Sequence, residues 1–297
     1  MNEYPNNIVR VMASRHSAFY TPLLLSTEPN FMKEIPLECS YQVAENSQNV
    51  FEMISKGEID IAQSAVSGSW NNEFAKDIVH FAGINKMDGF FILKRKRSKT
   101  MKDFHWSDLI DSEVLADHSK QPLAMFKYAC YKKDIDSNKI KLKDAGNPEE
   151  MIDAFRDGTG DFIHLQGPAA QQLAFDGTGV IVASTGRAIG PVAFSSLICT
   201  KSFLETDRFE TFLRKFIAGK LFAQNENAEN IADIVMEFFT QGIELEALIN
   251  TIKEYQSLHC WDKEIKISEN HYSRALEVFK NDGLEGIFPY SENVVKI

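Results

Sequence analysis

The sequence predicts a two-lobed α/β protein with mostly parallel sheets and a helical C-terminal tail, and three observations lead there. First, a phrase occurs twice. Residues 50–63 read VFEMISKGEIDIAQ and residues 151–164 read MIDAFRDGTGDFIH, so that Ile54 aligns with Phe155, Gly57 with Gly158 and Asp60 with Asp161. Each copy is an amphipathic helix ending at a glycine, which can take the left-handed conformation that closes a helix. A spacer, an aspartate and a short apolar strand follow. Second, up to Thr200 short β-patterned runs alternate with helical ones, the mark of βαβ units. Third, after Thr200 every periodic segment is helical.

Strand patterns fall at Ile8–Ala13, Glu38–Val43, Asp60–Ser64, Ile78–Ala82, Phe90–Lys94, Glu113–Ala116, Ile140–Asp144, Asp161–Leu165, Val180–Ser184 and Ser195–Thr200. Between them, Ala18–Ser26 follows Ser17, an N-cap residue type. Asn49–Lys56 and Pro148–Asp157 are the repeated helices, the second opened by Asn147 with proline in its first turn. Leu123–Lys133 starts after Gln121-Pro122. In the tail, Phe203–Gln224, Ala228–Thr240, Leu245–Ser257 and Ser268–Asn281 carry apolar residues at helical spacing, as with Phe209, Phe212, Leu213, Phe216 and Leu221. The tail is expected to cap the first lobe.

Bulk composition narrows the function classes. Thirty-two Lys and Arg against 42 Asp and Glu give a net charge of −10, the wrong sign for nucleic acid, whose phosphates need a basic surface. The one basic run, Lys94–Arg97, reads as a solvated strand exit. Cys39, Cys130, Cys199 and Cys260 lie far apart without a C-x-x-C, so neither a zinc pattern nor a disulfide framework is expected. No run of about 18 apolar residues predicts a membrane span. The N-terminus, MNEYPNNIVRVMAS, has no basic segment leading into an apolar stretch, and a cytoplasmic protein is expected.

The order of elements, the doubled phrase and the helical tail resemble the type II periplasmic-binding-protein fold, and within it the thiamine-pyrimidine synthase and sulfonate/nitrate-binding superfamily. His16-Ser17-Ala18-Phe19-Tyr20 looks like that family's H-x-P-x-Y-type opening helix. Lys56-Gly57-Glu58-Ile59-Asp60-Ile61-Ala62 looks like its G-x-I-D-[IM]-[AG], and Gly190–Ser196 falls where the chain returns to the first lobe. The chain also resembles the signal-less cytosolic members known from fungi and bacteria, some of which carry a thiamine-biosynthesis label. The resemblance implies two crossover strands, near Phe91–Lys96 and Phe194–Thr200, and hinge closure on a ligand. It divides the chain into a first lobe of residues 1–93 and 196–297 and a second of 94–195. The fungal synthase holds pyridoxal phosphate on the lysine of K-x-x-x-H. Here Ser64 and Gly68 fall on the lysine and histidine positions, and Pro191–Ser195 falls on its cysteine cluster C-C-C-F-C. No Schiff-base amine and no iron-holding thiolates stand there. That reaction is not expected, and no cofactor is.

Ligands of open α/β sheets sit beyond the strand C-termini, which selects the candidate site. Ser14, His16 and Ser17 follow the first strand and open a helix, whose free N–H groups suit an anion. Ser64, Ser67 and Gly68 end the first repeated strand. Asp117, His118 and Ser119 end another strand ahead of Pro122. His164, Gln166 and Gly167 end the second repeated strand, with His164 either a cleft group or a buried structural one, and Gly190 leads into the return crossover. Ser64 and Gln166 are expected to face each other. Trp70 is either a stacking platform at the rim or core. Three readings remain open: a binding protein for a small polar, anionic or heterocyclic metabolite linked to thiamine-type pyrimidines; an enzyme of a thiamine-like or menaquinone-like pathway using a cleft His or Asp; and an interaction module whose pocket is filled by a bulky side chain. A small molecule, rather than nucleic acid or membrane, is the expected partner.

Overall fold

The computed structural model describes residues 8–45, 48–96, 103–118, 120–239 and 242–297. Two five-stranded sheets form the core. The first contains β1 (Ile8–Ala13), β2 (Glu38–Val43), β3 (Ile61–Ser64), β4 (Ile78–Asn85) and β10 (Ser195–Thr200) in the order β2-β1-β3-β10-β4. The second contains β5 (Phe90–Arg95), β6 (Glu113–Ala116), β7 (Lys141–Lys143), β8 (Phe162–Gln166) and β9 (Gly179–Ser184) in the order β7-β6-β8-β5-β9. Each sheet is parallel on one side. On the other it is antiparallel about a strand that arrives from the opposite lobe, β10 in the first sheet and β5 in the second. All ten sequence-predicted strands are present, with mixed rather than mostly parallel pairing, because the crossing strands enter against the grain.

The doubled phrase has one physical cause in both sheets. The backbone N–H of Asp60 donates to the Arg10 carbonyl at 3.0 Å, and its carboxylate accepts from the Arg10 N–H at 2.8 Å. Asp161 does the same to Glu113, at 2.8 Å and 3.1 Å. Each aspartate therefore starts the parallel pairing of its strand with a two-point clamp on the neighbouring strand. Before it, Gly57 and Gly158 turn with positive φ (71° and 104°), closing α2 (Val50–Ser55) and α4 (Pro148–Arg156). An arginine caps each end. Arg10 donates to the Gly57 carbonyl at 2.7 Å. Arg95 donates to the Phe155 and Gly160 carbonyls at 2.5 and 2.8 Å while lying over the Phe155 ring. Cations at helix C-termini meet the negative end of the dipole.

Two corrections to the lobe division follow. The chain crosses between sheets at residues 86–89 and 185–194, so β5 lies wholly in the second sheet and residues 90–93 belong there. The tail also does not simply cap the first lobe. There α7 (Asp207–Asn225) and α8 (Ala228–Val235) pack on α1 (Thr21–Thr27). In the second lobe α9 (Leu245–Ser257) packs on α5 (Ala169–Phe175), and α10 (Glu269–Asn281) on α3 (Lys120–Lys132). The same two helices also touch the first-lobe side, α9 on α8 and residues 18–20 and α10 on residues 66–69, so they bridge the lobes. One buried apolar cluster consequently runs from Val11 through Tyr255 and Trp261 to Phe91 and Leu165. Beyond the predicted elements, α5, α6 (Thr185–Ile189) and a short α11 (Tyr290–Asn293) are present.

The clamp makes an asymmetric stability prediction. The Asp60 side chain is 7% exposed and ion-paired to Arg10 at 2.8 Å, so Asp60→Ala strands a half-buried N–H and a guanidinium and should cost about 2–3 kcal/mol. Asp161→Ala, at a half-buried position, should cost about 1–2 kcal/mol. Urea unfolding of the two variants checks the order. Equal or negligible losses would contradict the clamp.

Candidate functional site

The parallel strands of both sheets end on the same side, and a cavity of about 310 Å³ opens between them. From the first lobe come Ser14, Arg15, His16 and Ser17 after β1. From the second come Asp117 after β6, the start of α4, and His164, Gln166 and Gly167 at the end of β8. Asn147 caps α4 reciprocally with Glu150, its side chain accepting from the Glu150 N–H at 2.9 Å and its N–H donating back at 2.8 Å. The first turn of that helix thus forms one wall.

Among the described residues, polar contacts join the lobes across this cavity. Arg15 pairs with Asp117, the side chains 29% and 10% exposed. The Ser17 hydroxyl donates to the Gly167 carbonyl at 2.6 Å while accepting from the Phe19 N–H at 3.1 Å. Ser14 donates through both its N–H and hydroxyl to the Gln63 side-chain oxygen, at 3.1 and 2.7 Å. His16 is fully engaged. Its Nε2 lies 2.8 Å from the Phe238 carbonyl, which only accepts, so Nε2 carries the proton and Nδ1 accepts from the Tyr41 hydroxyl at 3.1 Å. His16 therefore lines the cavity with its ring and has no lone pair or proton left for an anion.

His164 and Gln166 differ from all of these. His164 is wholly buried, its ring between Phe90 (centroids 4.6 Å apart) and Phe126 (5.1 Å). Neither ring nitrogen has a hydrogen-bond partner, and neither amide atom of the buried Gln166 has one. The Tyr20 hydroxyl approaches the Gln166 amide closely enough for a weak hydrogen-bonding interaction that lowers the Tyr20 pKa against the larger upward push of burial, but the geometry falls short of a formed hydrogen bond. Burial lowers the His164 pKa to about 3; Asp117 opposes the shift and Arg15 adds to it. The imidazole is therefore neutral at physiological pH, with one donor and one acceptor nitrogen.

Four candidate residues lie elsewhere. Alternation along β3 puts Gln63 and Ser64 on opposite faces. Ser64 turns away toward Gly68 and Phe51 and donates to the Ala65 carbonyl at 3.2 Å, so it does not face Gln166. Ser67 sits in the turn beyond it, outside the cavity wall. His118 is exposed and points its Nδ1 to the Ala116 carbonyl at 2.8 Å. Gly190 closes α6 with φ 81°, away from the cavity. Ser119 lies outside the described residues. Trp70 is core, donating to the Tyr272 hydroxyl at 2.8 Å and stacked on Phe288. Arg15, Phe90 and Glu149 line the cavity without having been expected. Arg15 stood in plain view between Ser14 and His16, but its partner is 102 positions away.

No family model matches the chain. YtlA of Bacillus subtilis (strain 168), provisionally named a binding protein, is 25% identical over 296 residues, covering 97% of this chain and 87% of that protein. Among solved structures, the ligand-binding component of an ABC-type import system from Staphylococcus aureus, with zinc bound, superposes with a TM-score of 0.75 at 13% identity, covering 98% of this chain and 97% of that one. The periplasmic aliphatic sulphonate-binding protein SsuA of Escherichia coli gives 0.73 at 14% identity, covering 98% and 92%. The chain has the two-lobed type II periplasmic-binding-protein-like fold, with an interlobe cleft suited to a small molecule. The structures it is similar to are those of periplasmic and import-system binding proteins, and that overturns the cytoplasmic expectation. Among the described residues, no helix is long and apolar enough to cross a membrane, and no three His, Cys, Asp or Glu side chains are grouped to hold a metal ion.

A pH prediction follows from His164. Its pKa falls from 6.5 in the unfolded chain to about 3 in the folded one, so the unfolded state takes up the proton first. Stability is then lost as pH falls below about 6.5, by up to about 1.4 kcal/mol per pH unit. Between pH 6 and 5 His164 should account for about 1 kcal/mol of loss, and His164→Gln should remove that share. His80, buried and also at about 3, keeps its own share in the variant. Equilibrium unfolding at pH 7, 6 and 5 tests it; identical slopes would contradict a buried neutral His164.

Proposed function

We propose that this protein is a solute-binding protein whose lobes close, by bending at residues 86–89 and 185–194, over one small uncharged polar molecule read by His164 and Gln166. The observation that carries the reading is the set of four buried polar atoms on these two side chains that form no full hydrogen bond among the described residues, Gln166 having only a weak approach from Tyr20. Each such atom costs roughly 1–3 kcal/mol when left unsatisfied. A ligand that supplies complementary donors and acceptors recovers that cost on closure.

Charge argues for a neutral ligand over an anion. The Arg15 guanidinium is matched by Asp117, Glu149 adds a further carboxylate to the wall, and His164 is held neutral by burial. A sulphonate, the ligand named for the Escherichia coli protein, would meet these carboxylates without a spare cation among the described residues of the wall. Adjacent donor and acceptor groups on a flat ring suit the imidazole edge and the amide together. A thiamine-type pyrimidine belongs to that class, in keeping with the sequence resemblance. The filled-pocket reading is disfavoured by the open volume of about 310 Å³.

A thermal-shift screen tests the proposal, with cytosine, nicotinamide and a 4-amino-5-hydroxymethylpyrimidine set against methanesulfonate and nitrate. A neutral heterocycle should raise the melting temperature, with about 2.7 kcal/mol of stabilisation at a hundred times its Kd. In Gln166→Leu its affinity should fall about ten- to a hundredfold, since two hydrogen bonds of roughly 0.5–1.5 kcal/mol are removed. The ligand-free variant should melt no lower than the parent, because a buried unsatisfied amide is gone. Stabilisation by the anions alone, or unchanged affinity in Gln166→Leu, would reject the proposal.

A further inference from the structure

A second polar cavity, of about 180 Å³, lies behind the crossing segments on the tail side and shares no wall residue with the interlobe cleft. Asn85 at the end of β4 and Ser195 at the start of β10 form its base, Lys86 and Lys220 its sides, and residues 262–271 of the tail its cover. Asn85 is 3% exposed; its Nδ2 donates to the Ser195 hydroxyl at 2.8 Å, and its Oδ1 has no hydrogen-bond partner. Lys220 is 2% exposed and donates to the Gly83 and Glu264 carbonyls at 2.8 and 2.7 Å. Asp262 pairs with Lys86 at 2.6 Å and lies 3.8 Å from Lys220.

The charges do not cancel. Lys86, Lys220 and the exposed Lys266 face the carboxylates of Asp262 and Glu264, an excess of one positive charge. Burial, with Lys86 adding and Asp262 opposing, lowers the His271 pKa, which keeps that ring neutral. Burial brings the Lys220 pKa down to about 8, with Lys86 adding to the fall and Asp262 and Glu264 opposing it.

We propose that this cavity binds a small 2-hydroxycarboxylate, its carboxylate facing the lysines and its hydroxyl donating to the Asn85 Oδ1. A single negative charge matches the excess, and the one buried acceptor without a partner requires a donor on the same ligand. An amino acid supplies a donor but brings back the positive charge. A cavity of about 150 Å³ holds a benzene-sized molecule, so this one has room for an acid the size of lactate. An occupant here touches both crossing segments and the tail where they already meet. The Lys86 N–H donates to the Cys260 carbonyl at 3.2 Å, and the Lys86 carbonyl accepts from the Val192 N–H at 2.9 Å.

Calorimetric titration of the full chain with L-lactate, glycolate, acetate, L-alanine and inorganic phosphate tests the assignment. Lactate and glycolate should bind; acetate, lacking the hydroxyl, and alanine should each bind at least tenfold more weakly. Asn85→Asp, nearly the same shape, and Lys266→Glu should each weaken lactate at least tenfold. Lys266 is exposed, so that variant decides the matter if the Asn85 variant fails to fold. No binding of either hydroxy acid would overturn the proposal. So would acetate, alanine or phosphate binding as well as lactate, or lactate affinity undiminished in the folded variants.

Discussion

The backbone of Gly167 is held from both ends by groups outside its own sheet, and the site depends on that grip. Ser17 donates to its carbonyl at 2.6 Å. The Tyr255 hydroxyl accepts from its N–H at 2.8 Å and passes its own proton to the Gly89 carbonyl at 3.0 Å. Only glycine fits, because a Cβ there would stand 2.6 Å from both Gln171 Oε1 and Thr251 Cγ2. One residue therefore ties the end of β8 to the end of β1, to a crossing segment and to the tail. The positions of His164 and Gln166, three residues and one residue earlier, follow from it.

The same economy governs the crossings. Asp88, between β4 and β5, accepts from the Thr185 hydroxyl and from the Phe90 N–H at 2.7 Å, so each crossing segment is fastened to the other. Burial raises the Asp88 pKa to about 7, against the pull of these two donors. The Asp88 backbone leaves no room for a side chain at Gly186. With α9 and α10 packed across to the second lobe, the lobes are joined by more than two strands. Any closing motion must carry the tail with it.

The sequence made some of this plain. Alternation and glycine punctuation located ten strands, and the repeated aspartates marked two strand starts whose clamps are alike. Strand ends also pointed to His164, Gln166, Gly167, Ser17 and Asp117. What escaped had physical reasons. Ser64 was misread because a one-residue step reverses the face of a strand. Arg15 and Asp117 make sense only together, 102 residues apart. The amphipathic face of a tail helix states that it packs, without stating on which lobe, so the reach of α9 and α10 onto the second lobe as well as the first was not visible. That His16 is spent on Phe238 and Tyr41 depends on contacts up to 222 residues distant.

The central claim is that the lobes close on a neutral polar ligand, and an interlobe distance tests it most directly. Of the four cysteines only Cys39 is not buried, so Cys39→Ser leaves a background for spin labels at Glu45→Cys and Asp144→Cys. Both positions are exposed, one on each lobe. Pulsed dipolar spectroscopy should give a shorter and narrower distance distribution when the neutral heterocycle from the screen is added, and no change with methanesulfonate. A ligand that binds tightly while the distribution stays as it was, or closure driven by methanesulfonate, would contradict the account.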